Sequence, residues 1–187
     1  MSATNALSDS FSRLGPVVLA VFLASCGVRM NGIGAGAGSI RPFGGAAFNN
    51  AVYFSAFDRT SGFELWKSDG TEAGTVRVKD INPGANGSIP GGFTVFNNAL
   101  YFSADDGTSG FELWRSDGTE AGTVRVKDIN PGAGGSIPFG FTVLNNALYF
   151  FADDGTNGFE QWLSDGTEAG TMRVKDILPR TVWSGNR

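Results

Sequence analysis

The sequence contains no histidine and a single cysteine, Cys26. Without histidine, Ser-His-Asp and Cys-His nucleophile systems and histidine-ligated metal sites are excluded. With one thiol, no intrachain disulfide forms. Positive charge is also scarce: 14 basic residues stand against 18 acidic ones, a formal net charge of −4. The Lys and Arg residues are scattered, with no cluster able to neutralise several phosphates, which argues against a nucleic-acid partner. No helix-period stretch of useful length follows residue 26. The longest apolar run, Leu14 to Ala24, is about half the roughly 20 residues that span a bilayer.

Glycine (28 residues) and aromatic residues are plentiful, with 16 Phe and a hydrophobic fraction of 41%. That is enough for a packed β domain and argues against wholesale disorder. The tryptophans set the organisation: Trp66, Trp114 and Trp162 recur every 48 residues. A fixed period of about 40–50 residues marks a repeat fold. Val95-Phe96-Asn97-Asn98-Ala99-Leu100-Tyr101-Phe102 aligns without a gap with Val143-Leu144-Asn145-Asn146-Ala147-Leu148-Tyr149-Phe150. The first unit is weaker at its start, where Gly44-Gly45-Ala46-Ala47 stands.

Each unit breaks at turn signals into four short apolar runs. In the second they are Phe93–Phe96, Ala99–Ala104, Phe111–Ser116 and Thr123–Ile129. Asn-Asn and Asp-Gly tolerate the positive φ of tight hairpins. Four antiparallel strands per unit predict an all-β, propeller-like fold of three four-stranded blades, partial or open. Ala99 to Phe102 is apolar on both faces, as for a strand sandwiched between blades. Thr123 to Asp128 alternates, as for an outer strand with one wet face. The tryptophan of each third strand is expected to pack on the adjacent blade. The chain divides as 1–25 export signal, 26–39 tether, 40–95 blade one with linker, 96–143 blade two, 144–178 blade three and 179–187 divergent tail.

The units resemble a bacterial surface-protein family named for its Glu-Leu-Trp-x-x-Asp-Gly-Thr repeat. Glu64, Leu65, Trp66, Asp69, Gly70 and Thr71 fit it, as do Glu112, Leu113, Trp114, Asp117, Gly118 and Thr119. The third unit keeps Glu160, Trp162, Asp165, Gly166 and Thr167 but has Gln161 in place of Leu. The resemblance covers roughly residues 38–178. It implies an exported repeat protein and supplies no catalytic residues.

The N-terminus reads as a signal: Arg13, then the short apolar run, then Leu23-Ala24-Ser25-Cys26. These last residues resemble the lipobox of bacterial lipoproteins, which implies cleavage before Cys26 and lipidation of its thiol. A plain secretory signal with Cys26 incidental is the alternative. Gly27, in place of the aspartate that favours inner-membrane retention in that family, implies placement at the outer membrane or surface. The Gly/Ala-rich stretch to Ser39 reads as a flexible tether.

Carboxylates are the remaining chemistry. Asp105-Asp106 and Asp153-Asp154 sit in hairpins, as calcium ligands or as turn acids bonding their own backbone. The EF-hand spacing is missing, and the first unit has only Asp58 there, which favours the turn reading. Asp69, Asp117 and Asp165 read as turn staples. Glu64, Glu112 and Glu160 recur at one strand position, whereas a glycosidase acid pair needs a unique constellation. Pairing with outer-strand Arg or Lys, or bonding to a turn, fits them better. Tyr53, Tyr101, Tyr149 and the blade tryptophans could stack on sugars but read first as core.

The sequence therefore predicts a non-enzymatic, lipid-anchored module outside the cytoplasm that binds a protein or glycan through blade loops. It requires no cofactor, with calcium the one candidate. The alternatives are an exported carboxylate-dependent glycan hydrolase and a truncated piece of a longer repeat protein. Three blades leave two apolar sheet faces unpaired, so self-association to close the ring is a further expectation.

Overall fold

The computed structural model describes residues 43–175, all β-strand and turn. Signal, tether, Cys26 and tail lie outside these residues. Twelve strands form three four-stranded antiparallel meanders. The first blade is β1 (Phe43–Phe48), β2 (Ala51–Asp58), β3 (Gly62–Ser68) and β4 (Val76–Lys79). The second is β5 (Gly91–Phe96), β6 (Ala99–Asp105), β7 (Phe111–Ser116) and β8 (Val124–Lys127). The third is β9 (Phe139–Leu144), β10 (Ala147–Asp153), β11 (Phe159–Ser164) and β12 (Met172–Lys175).

The hairpin chemistry follows the turn residues. Asn49-Asn50, Asn97-Asn98 and Asn145-Asn146 all adopt positive φ between the first two strands of a blade, the geometry two-residue hairpins need. The weakly patterned start of the first unit still forms β1. Its pairing with β2 slips between Phe43 and Ala46, and β5 and β9 carry the same irregularity. A bulge at this position tolerates the glycines that break the alternation.

The expected divisions at 95/96 and 143/144 fall inside β5 and β9. Both strands bond forward, to β6 and β10, so the blades meet instead in the linkers 80–90 and 128–138. Pro90 stands immediately before β5 and Pro138 immediately before β9. Proline lacks the N–H a ladder needs, and this fixes the strand start.

The blades pack face to face along an arc that does not close, with β5 touching both β1 and β9. Side chains alternate across each strand, so every blade has two faces. The trailing face of blade one carries Tyr53, Leu65, Val78 and Ile81. It packs on Leu100, Phe102, Ala104 and Trp114 from the leading face of blade two. The pattern repeats one blade on, with Tyr101, Leu113, Val126 and Ile129 against Leu148, Phe150, Ala152 and Trp162. Each motif tryptophan in blades two and three thus plugs the preceding blade. The leading face of blade one, Val52, Phe54 and Ala56 beside Trp66, is buried, and its cluster contains no residue of another described sheet. Of the two end faces expected to lie open, only that of blade three is exposed.

Polar bonds register the blades on one another. Lys79 Nζ donates to the Thr123 carbonyl at 2.9 Å, and Lys127 Nζ to that of Thr171 at 2.8 Å. Lys67 Nζ reaches the Gly118 carbonyl at 2.8 Å. Gly118, at φ +94, also receives the Tyr53 hydroxyl of the neighbouring blade against its α-carbon, so no side chain fits there.

Candidate functional site

The motif glutamates are the most informative polar groups. Strand alternation turns Glu64 to the same face as Trp66, and Glu64, Glu112 and Glu160 are all buried. Among the described residues no Lys or Arg pairs with Glu64 or Glu112; each carboxylate instead gathers the linker to the next blade. Glu64 Oε2 accepts from Ile81 N at 2.9 Å and Ser88 Oγ at 2.5 Å. Its Oε1 accepts from Asn82 N at 3.1 Å and Ser88 N at 3.0 Å. Glu112 repeats the set with Ile129, Asn130 and Ser136. Burial pushes both carboxyls above the usual glutamate range, against the downward pull of the serine and backbone bonds.

The clamp ties the linker to both blades. Ser88 and Ser136 also donate their N–H to the Phe63 and Phe111 carbonyls, each at 2.8 Å. Their own carbonyls accept from Asp105 N and Asp153 N of the following blade, at 3.0 Å. Asn82 Nδ2 and Asn130 Nδ2 close the linker loop on Gly87 O and Gly135 O. Sequence reasoning passed over Ser88, Ser136, Asn82 and Asn130. The signal was there: Asp-Ile-Asn-Pro-Gly-Ala-x-Gly-Ser-Ile-Pro occurs in both linkers.

Asp69, Asp117 and Asp165 each organise a turn. Asp117 Oδ1 accepts from Thr119 N at 2.8 Å and Thr119 Oγ1 at 2.7 Å, and Thr119 Oγ1 accepts from Gly122 N at 2.9 Å. Thr123 Oγ1 closes the turn on Thr119 O at 2.6 Å. The side-chain and backbone bonds from threonine hold the Asp69, Asp117 and Asp165 carboxyls below the usual aspartate range. A Cβ on Gly74, Gly122 or Gly170 would collide with the stapling carboxylate. The glycine five residues past each aspartate is thus a steric requirement.

The hairpin acids serve the β6–β7 and β10–β11 turns. Asp105 Oδ1 accepts from Gly107 N at 2.7 Å, and Asp153 Oδ1 from Gly155 N at 2.8 Å. Asp106 Oδ1 takes Thr108 N, Thr108 Oγ1 and Ser109 N, while Oδ2 faces Arg125 Nη1 at 3.4 Å. Asp154 does the same with Thr156, Asn157 and Arg173. In the first unit Asp58 fills the role with Thr60, Ser61 and Arg77. Burial opposes ionisation of Asp58 and Asp154, but their side-chain and backbone bonds outweigh it and hold both well below the usual range. Among the described residues no group of three or more Asp, Glu, Cys or His is placed to hold a metal ion. Tyr53 and Tyr101 lie in the inter-blade cores and offer no sugar platform, and Trp114 and Trp162 lie there with them.

The loops fall at the two ends of the strands in each blade. One end carries the Asn-Asn turns and the stapled Asp-Gly-Thr turns. The other carries the hairpin acids and the linkers, where Ile89 and Ile137 adopt φ +48 and +50 and lie exposed. Positive φ is costly for a β-branched residue; in this conformation Ile89 N and Ile137 N donate to the Phe63 and Phe111 carbonyls at 3.0 and 2.9 Å.

No family model matches the chain, and no curated protein matches it. Among solved structures it is similar to the computationally designed Ika8 protein, crystal packing No.1 in P63. The identity is 12% over 73% of this chain and 49% of that one, with a TM-score of 0.32. The chain thus spans about half the length of that structure. A likeness at that level carries no argument about function.

Proposed function

We propose that the chain is a non-enzymatic display module of the Glu-Leu-Trp-x-x-Asp-Gly-Thr surface-repeat type. Cys26 carries the lipid, residues 27–39 tether the blades to the outer membrane or surface, and the blade loops bind a protein or glycan. One observation supports the non-catalytic reading above the rest. The recurrent carboxylates of blades one and two are engaged in holding backbone: Glu64 and Glu112 on the linkers, Asp69 and Asp117 in turns, Asp58 and Asp106 in hairpins. A carboxylate surrounded by donors from its own chain serves poorly as a general acid or nucleophile. The end bearing the three Asn-Asn turns presents repeated, exposed amides suited to hydrogen-bonding a polar ligand.

Two measurements test the reading. Fatty-acid labelling in a bacterial host is expected for the natural chain and lost with Cys26→Ala; equal labelling of both overturns the anchor. A glycan and protein array probed with the chain is expected to give binding that Asn97→Ala with Asn98→Ala weakens. Hydrolysis of any glycoside that depends on one Asp or Glu overturns the non-enzymatic reading.

A further inference from the structure

The trailing face of blade three departs from the inter-blade recipe at several positions together. Ser55 and Ser103 become Phe151, Lys67 and Arg115 become Leu163, and Leu65 and Leu113 become Gln161. The strand pairing puts these three residues on one face with Tyr149 and Phe159. Val174 is 44% exposed, whereas its counterparts Val78 and Val126 are 7% exposed. Phe139, Phe151 and Phe159 form an exposed aromatic group, with Phe139 stacked on Phe151 at 5.6 Å and edge-on to Phe159 at 5.5 Å. A solvated end blade would be expected to gain polar residues. This one gains a single polar residue, Gln161, and otherwise gains Phe and Leu where its siblings have Ser and Lys or Arg.

The face is also unsuited to another blade docking as blades two and three do. In the two internal interfaces, a phenylalanine of the following blade covers a bulge glycine of the preceding one: Phe93 lies over Gly44 and Phe141 over Gly92. In blade three that slot above Gly140 is filled by the blade's own Phe151. The lysine that reaches the next blade's turn from position 67 is replaced by Leu163.

We infer that this face binds the same face of a second copy of the chain, across a two-fold axis. An isologous contact meets each residue with the same surface, so a cation at position 163 would oppose its own kind and Leu163 does not. Gln161, at the middle of β11, is donor and acceptor at once, so two copies satisfy each other across the axis. The aromatic group supplies the apolar anchor, in a residue class that dominates interface energetics. The inference rests on the blade arrangement and is independent of the lipid-anchor and ligand proposals.

The test uses the full-length chain. Sedimentation across a concentration series is expected to show a monomer–dimer equilibrium. Phe151→Ser with Leu163→Arg, which restores the residues of the sibling blades, is expected to raise the dissociation constant more than about tenfold with an unchanged far-UV spectrum. In a Cys26→Ser background, Gln161→Cys is expected to form a disulfide-linked dimer on mild oxidation, and Glu72→Cys, on the first blade, is not. That comparison separates this face from association through the N-terminal apolar run. A monomer at every concentration overturns the inference, whether the face stays bare or residues 176–187 of the same chain cover it. A dimer that survives the double substitution, or that cross-links equally at position 72, overturns it as well.

Discussion

Removing the clamp carboxylate of blade two exposes the main structural claim to a sharp test. Glu112 accepts four hydrogen bonds, from Ile129 N, Asn130 N, Ser136 N and Ser136 Oγ. The loss is smaller than four bonds, because Ser136 N keeps Phe111 O at 2.8 Å and its hydroxyl can turn to the same carbonyl. In Glu112→Ala the orphans are the Ile129 and Asn130 amides. A buried unsatisfied donor costs roughly 1–3 kcal/mol, so the expected destabilisation is about 4 kcal/mol. In Glu112→Gln the amide oxygen serves one side of the pocket. The amide nitrogen then faces Ile129 N–H, or Asn130 N–H in the flipped rotamer, leaving one orphan and a cost of about 2 kcal/mol. At roughly 4 °C per kcal/mol for a domain of this size, the melting temperature falls by about 8 °C for Gln and about 16 °C for Ala. Thermal melts followed by circular dichroism at constant pH and protein concentration read both. A Gln variant as stable as the natural chain, or an Ala variant within about 3 °C of it, refutes the clamp.

Further predictions follow from other contacts. Because burial raises the Glu112 carboxyl above its ordinary value, the native state binds the extra proton, and the stability this contributes is present in acid and lost as pH rises through the raised value. The gap between the natural chain and Glu112→Gln in urea titrations should therefore narrow on going upward from about pH 4.5; a gap that widens contradicts the assignment. The lowered Asp106 carboxyl acts the other way, losing its contribution as pH falls below about 4, so Asp106→Asn should flatten the acid limb of the same profile. Gly118→Ala drives a methyl group into the Tyr53 hydroxyl of the adjacent blade and into strained backbone, at a cost of about 2 kcal/mol or more, and Tyr53→Phe should relieve part of it in a double-mutant cycle. Strict additivity would contradict the contact. Leu113→Gln, which copies blade three into a fully buried position, should destabilise by about 3 kcal/mol, whereas Gln161→Leu should change monomer stability by less than about 0.5 kcal/mol.

The architecture was legible because each of its signals is local. Asn-Asn turns, the alternation of Val124 to Lys127 and the doubly apolar Ala99 to Phe102 mark strands by period and turn chemistry alone, and a repeat of 48 residues multiplies each signal by three. Blade divisions were less legible, since Asn97-Asn98 is a hairpin inside the blade as strong in composition as the linker outside it. The linker prolines, Pro83 and Pro90, distinguish the two. The function of the motif glutamate was hidden by distance along the chain. Its partners stand 17, 18 and 24 residues away, in a segment with no period of its own. The aspartate staples, whose partners lie two residues on, could be read directly. At blade three the sequence showed only the motif departure at Gln161, and the aromatic face was not read from it. Its extent needed the pairing of β9, β10 and β11, which brings Phe139, Phe151 and Phe159 together.

Hydrogen exchange resolved at single amides puts the central claim, that the motif carboxylates hold the arc together from inside, to its most direct trial. Ile81, Asn82 and Ser88, with Ile129, Asn130 and Ser136, lie in linkers outside every strand, where fast exchange is the ordinary expectation. If Glu64 and Glu112 clamp them, these six amides exchange as slowly as those of the central strands β2 and β6, and slow together. Rapid exchange of all six at neutral pH, alongside protected strands, would show that the linkers are not held and would contradict the account.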